Sequence, residues 1–98
     1  MSELSSKQRR QLKGLAHGLS ISVQVGNAGI TDGVTESVHH ALAAHELIKV
    51  KVGQGSELDR KAGAAELAKA TGSQVAAVIG RVWVLYRADL EDPKISLV

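Results

Sequence analysis

Leu12, Leu15, Ala16 and Leu19 recur at i, i+3, i+4 and i+7, the spacing that lines up one buried stripe on an α-helix. With Ser5 or Ser6 as its cap, this stripe predicts a helix from about Lys7 to His17. The period then drops to two: Ile21, Val23 and Val25 alternate with Ser20, Ser22 and Gln24, which predicts a half-buried strand over residues 20–25. Gly26-Asn27-Ala28-Gly29 breaks the strand, Thr31 offers a second cap, and Val34, Val38, Ala41 and Leu42 restore the helical stripe as far as about Ala44. Residues 46–52 alternate again, with Ile48, Val50 and Val52 on one side and Lys49 and Lys51 on the other. Ser56 and Asp59 stand at capping-box spacing, Asp in place of the usual Glu, ahead of a third helix with Ala64, Leu67, Ala68 and Thr71 on one side. Gly72 stops that helix in the left-handed conformation, and 74–79 and 81–86 follow as two strands separated by Gly80.

The resulting order, αβαβαββ, predicts an α/β fold of two layers. Helices cover a four-stranded mixed sheet, and its other face, with Lys49 and Lys51, stays open to solvent. With 98 residues there is room for one domain, residues 1–98. Its polar tail, from about 88 to 98, is expected at the surface with Ile95 and Leu97 docking weakly.

Composition narrows the class. The 44% hydrophobic content is that of an ordinary globular chain, and the absence of cysteine leaves the core to hold the fold without disulfides or thiolate zinc sites. That fits a reducing compartment. No apolar run follows the basic residues near the start, and none reaches membrane-spanning length, so the chain reads as soluble, cytoplasmic and free of membrane contact. With Trp83, Tyr86 and no Phe, a sheet platform that stacks several bases is hard to build.

Charge changes the picture more. The formal net charge is only +2, yet residues 1–31 hold Lys7, Arg9, Arg10 and Lys13 against Glu3 alone, a net of +3 that leaves −1 for residues 32–98. At 100° per residue, Arg10, Lys13 and His17 form a row away from the apolar stripe, with Arg9 one turn before Lys13. A basic face this local points to an anionic partner.

Catalytic and metal chemistry find little support. His17, His39, His40 and His45 lack metal-ligand spacing, and the adjacent pair points about 100° apart on a helix. There is no nucleophile elbow, no paired carboxylates on one face, and no Walker or dinucleotide loop. No catalytic residue, metal site or cofactor is therefore expected. The turn Gly26 to Gly29 sits between a strand and a helix N-terminus, where amides and the helix dipole favour an anion, although a plain turn would look the same. Lys49, Lys51, Arg81 and Arg87 supply further cations on strands or at their ends. Trp83 shares a face with Arg81, Leu85 and Arg87, where it either stacks on a base or, the better fit for so large a side chain, covers the sheet or packs under the tail.

Several strings together resemble one family. They are KQRRQLKGLAH at 7–17, VQVGNAG at 23–29, ITDGV at 30–34, HELIKVK at 45–51, Thr71-Gly72, and VIGRVWVLYR at 78–87. Nearly the whole chain is thus similar to the bacterial YhbY family, stand-alone CRM domains named for chloroplast RNA splicing and ribosome maturation. The resemblance implies the same αβαβαββ order, similar to the C-terminal domain of bacterial translation initiation factor three. It also implies RNA binding and association with precursors of the large ribosomal subunit. The expectation is therefore a non-catalytic RNA-binding protein of ribosome biogenesis that acts on ribosomal RNA as a monomer, with ribosomal proteins as further partners. The GxxG loop is compared with that of KH domains, as a loop only. Many members place a basic or small polar residue inside it, whereas Asn27-Ala28 carries no charge, so affinity leans on Arg9, Arg10, Lys13, Lys49 and Lys51. An alternative is a protein adaptor that docks on a ribosomal protein or assembly factor through Glu57, Asp59, Glu91 and Asp92.

Overall fold

The computed structural model describes residues 3–53 and 60–98. Ser5 starts α1 (Ser6–Ala16) through a capping box, in which its Oγ accepts the Gln8 N–H at 3.1 Å and the Gln8 side chain accepts the Ser5 N–H at 2.9 Å. Then follow β1 (Ile21–Val25), α2 (Asp32–His45), β2 (Leu47–Val52), α3 (Arg60–Thr71), β3 (Gln74–Ile79) and β4 (Val82–Tyr86). The Thr31 hydroxyl caps α2 by accepting the Val34 N–H at 3.1 Å, and Gly72 ends α3 at φ +67°. The expected Ser56–Asp59 cap lies outside the described residues.

The sheet runs β1-β2-β4-β3, with β1 parallel to β2 and β4 antiparallel to both its neighbours. Element order and mixed four-stranded sheet are as the sequence predicts. The layering is not: three layers replace the expected two. α2 and α3 cover one face, where Val38, Leu42, Ala64 and Leu67 pack on Val23, Val25, Ile48, Val50, Trp83 and Leu85. α1 covers part of the other, laying Leu12 and Ala16 on Leu47, Ala76, Val84 and Tyr86. The cause is β4, which is apolar on both sides and needs burial on both. Each large side chain so buried contributes about 1.5–3 kcal/mol.

Two residues of the predicted first stripe stay out of this core. Leu15 is 48% and Leu19 39% exposed: Leu19 lies beyond the end of α1 at Ala16, and the cluster that Leu12 and Ala16 join is completed by Leu4, ahead of the helix, rather than by Leu15. The tail is held more firmly than its polar composition suggests. Gln11 donates to Ser96 O at 2.8 Å and accepts the Val98 N–H at 2.9 Å, and Gln8 donates to Val98 O at 3.1 Å, while Ile95 and Leu97 pack on the α1 cluster.

Candidate functional site

The C-terminal ends of β1 and β2 and the β3–β4 hairpin meet at one end of the sheet. Gly26 O accepts the Gly29 N–H at 3.0 Å, which makes a β-turn with Asn27 and Ala28 at its tip; Gly29 leaves it at φ +76°, a conformation open to glycine without steric cost. The Gly53 N–H donates to Val25 O at 2.7 Å, and a Cβ at Gly53 would lie 3.2 Å from that oxygen, so the missing side chain lets β2 close against the turn. The hairpin turns over Gly80, at φ +58°, and Arg81. Arg81 O accepts the Val52 N–H at 2.8 Å, and its guanidinium leans over β2 to within 3.4 Å of Gly53 O.

The turn offers less to an anion than its spacing suggests. The Gly29 amide is consumed inside the turn, which leaves the exposed Asn27 and Ala28 amides without an acceptor among the described residues. Asp32, exposed in the first turn of α2, already sets a carboxylate against the helix dipole.

The cations lie mainly on the sheet face that carries α1. Lys49 and Lys51 pair across from Val84 and Val82 of β4, Lys51 exposed and Lys49 half-buried. α1 ends beside them, and Ala16, His17, Lys49, Ile79, Val82 and Val84 line a cleft of about 170 Å³. Around α1, Leu12 and Ala16 face the sheet, Gln8 and Gln11 hold the tail, and Arg9, Arg10, Lys13 and His17 occupy the remaining, exposed flank. Lys7 and Arg9 sit in the first turn with no acid beside them, where a cation costs about 0.3–1 kcal/mol against the helix dipole. The side chains of Arg9, Arg10, Lys13, Lys49 and Lys51 make no ion pair or hydrogen bond with any described residue.

Arg87 is not brought to this face. It lies beyond the far end of β4 from Arg81, about 20 Å away for six residue steps along an extended strand. Its guanidinium donates to Thr71 O at 2.9 Å and His39 O at 3.1 Å and contacts His39 Nδ1 at 2.8 Å, tying the end of α3 to the middle of α2. Trp83 is fully buried among the residues under α2 and α3, so it does not stack on a base. Among the described residues, no group of His, Asp or Glu could hold a metal ion, and no helix is long and apolar enough to cross a membrane.

Sequence reasoning missed Glu46. It is fully buried, and its carboxylate accepts the backbone N–H of Asp89, Lys94 and Ile95. Its charge also helps to raise the pKa of Tyr86, after the larger effect of burial. The only signal was an acid inside an otherwise apolar strand entry, Glu46-Leu47-Ile48.

The CRS1 / YhbY (CRM) domain matches residues 4–87. The chain is 40% identical over 94 residues to the Bacillus subtilis protein named "Probable RNA-binding protein YqeI", spanning 96% of this chain and 98% of that one. It is 40% identical over 97 residues to a Haemophilus influenzae protein named "RNA-binding protein", spanning 99% and 97%. Among solved structures it is similar to the solution structure of the hypothetical protein SAV1595 from Staphylococcus aureus, with a TM-score of 0.84 at 38% identity over 97% of this chain and 99% of that one.

Proposed function

The chain belongs to the CRS1 / YhbY (CRM) domain family, and from that premise we propose that it is a non-catalytic RNA-binding protein of ribosome biogenesis. It acts in the cytoplasm as a monomer, on ribosomal RNA in precursors of the large subunit. The observation that carries the RNA reading is the face on which Lys49 and Lys51, the α1 flank and Arg81 stand with no acidic partner among the described residues. Uncompensated cations on an exposed surface raise the folded state's self-repulsion, and a phosphate backbone relieves it.

Lys49, Lys51, Lys13, Arg9 and Arg10 contact phosphates, Arg81 extends the track to the hairpin, and the Asn27 and Ala28 amides of the GxxG loop meet the backbone at its end. Neutralising about four or five phosphates gives log K against log salt a slope near −3 for single-stranded RNA. Fluorescence anisotropy of a labelled single-stranded RNA across a salt series measures it, and a flat response defeats the reading. Recovery of precursor ribosomal RNA after crosslinking in cells tests the ribosomal assignment separately.

A second reading, an adaptor for a ribosomal protein or assembly factor, rests on Glu91 and Asp92, exposed on a tail that Glu46 holds in place. Glu57 and Asp59 lie outside the described residues. Co-sedimentation with ribosomal particles that survives RNase treatment favours it; loss after digestion favours RNA.

A further inference from the structure

We infer that the cleft between the last turn of α1 and the β3–β4 hairpin is a subsite for a single unstacked RNA base, an inference that rests on the RNA-binding reading above. α1 covers Val84 and Tyr86 but stops at Ala16, short of Val82 and Ile79, which pair at the mouth of the hairpin. Apolar surface is therefore left open where the cations gather: Ile79 is 40% exposed and Val82 half-buried.

The cleft's size fits one ring. Its volume of about 170 Å³ compares with the roughly 150 Å³ apolar cavity that holds a benzene, and falls below the roughly 300 Å³ at which pockets for larger ligands begin. Its floor is aliphatic, from Ile79, Val82, Val84 and Ala16, and its rim carries Lys49 and His17, with no acidic residue among the described residues that line it. Lys51 stands two residues further along the same face of β2. An apolar slot with a cationic rim matches a heterocycle whose own chain carries phosphates on either side. It also gives a domain whose single Trp is buried a way to contact a base without aromatic stacking.

The test uses a short single-stranded oligoribonucleotide, intact or with one abasic position moved along it, and methyl NMR of the full chain. Intact RNA is expected to shift the Ile79, Val82 and Val84 methyl signals. One abasic position should weaken binding roughly 5–10-fold and remove those shifts. Ile79→Ser should weaken intact RNA by a similar factor, leave the best abasic RNA unaffected and keep the salt slope. Equal binding of intact and all abasic RNAs, with the methyls unmoved, overturns the subsite while leaving phosphate binding in place. If the wild-type chain binds none of these RNAs, the RNA reading falls and the subsite with it. The abasic arm needs no protein variant, so poor folding of Ile79→Ser does not blunt the test.

Discussion

Glu46 accepts the backbone N–H of Lys94 at 2.6 Å across 48 residues of sequence. The same carboxylate takes the Ile95 N–H at 2.9 Å and the Asp89 N–H at 2.6 Å, and the Glu46 carbonyl takes the Arg87 N–H at 2.9 Å. Glu46 does this from φ +61°, ψ −44°, near the rare classic γ-turn, in a region that costs an L-residue of order 1–3 kcal/mol. The strained corner between α2 and β2 is thus held by the tail it anchors, and the tail by the corner.

Glu46→Gln should therefore cost on the order of 2–3 kcal/mol, since it removes the charge from three hydrogen bonds and sets an amide donor against one of the N–H groups. Urea unfolding should show a lower midpoint at unchanged slope. Amide exchange should accelerate at Lys94 and Ile95 before it does in the sheet.

Arg87→Ala separates a structural cation from those proposed to bind RNA. Losing the bonds to His39 and Thr71 should lower stability by roughly 1–3 kcal/mol, discounted because the side chain is only half-buried. RNA affinity and salt slope in the folded variant should match the wild type. Lys49→Gln with Lys51→Gln should do the reverse, lowering affinity and flattening the slope by about 1.4 at little cost in stability.

These two groups of cations look alike in the sequence, and the difference shows what a linear pattern carries. Lys49 and Lys51 are legible because strand alternation puts them opposite Ile48, Val50 and Val52, a relation between near neighbours. The caps at Ser5 and Thr31 and the stop at Gly72 are local in the same way. Arg87 bonds to two backbone carbonyls, which have no sequence signature, on helices 16 and 48 residues away. Glu46 and the tail are a distant pairing of the same kind. The two-layer expectation overlooks that β4 is apolar on both faces, which needs a third layer, and the period of α1 could not say that Leu15 and Leu19 would stay outside it. Trp83 lies among the residues under α2 and α3, as its face of the strand allowed.

Tyr86 should make the fold sensitive to alkali. Burial first, and the Glu46 charge second, raise its pKa above 10.0. The folded state therefore holds the phenolic proton more tightly than the unfolded chain does. That contribution is fully present below pH 10.0 and is lost as pH rises through the raised value. Tyr86 is the only tyrosine, so an absorbance titration reads it directly. Tyr86→Phe should remove this part of the alkaline loss, and Glu46→Gln should bring the titration back toward the ordinary value.

The glycine turn is best tested by variants that separate charge from conformation. Asn27 and Ala28 sit exposed at its tip, and neither has a positive φ, so Asp at both positions should fold normally. Two carboxylates there should repel a phosphate and lower RNA affinity, most strongly at low salt. Asp32→Asn should act in the opposite direction, raising affinity by removing the carboxylate beside the turn while costing α2 about 0.3–1 kcal/mol of dipole stabilisation. Gly29→Ala, strained at φ +76°, should lower the melting temperature by forcing the turn open. If affinity follows charge through the first two variants, the turn touches RNA; if it moves only with Gly29→Ala, the turn serves the fold and the sheet lysines carry the contact.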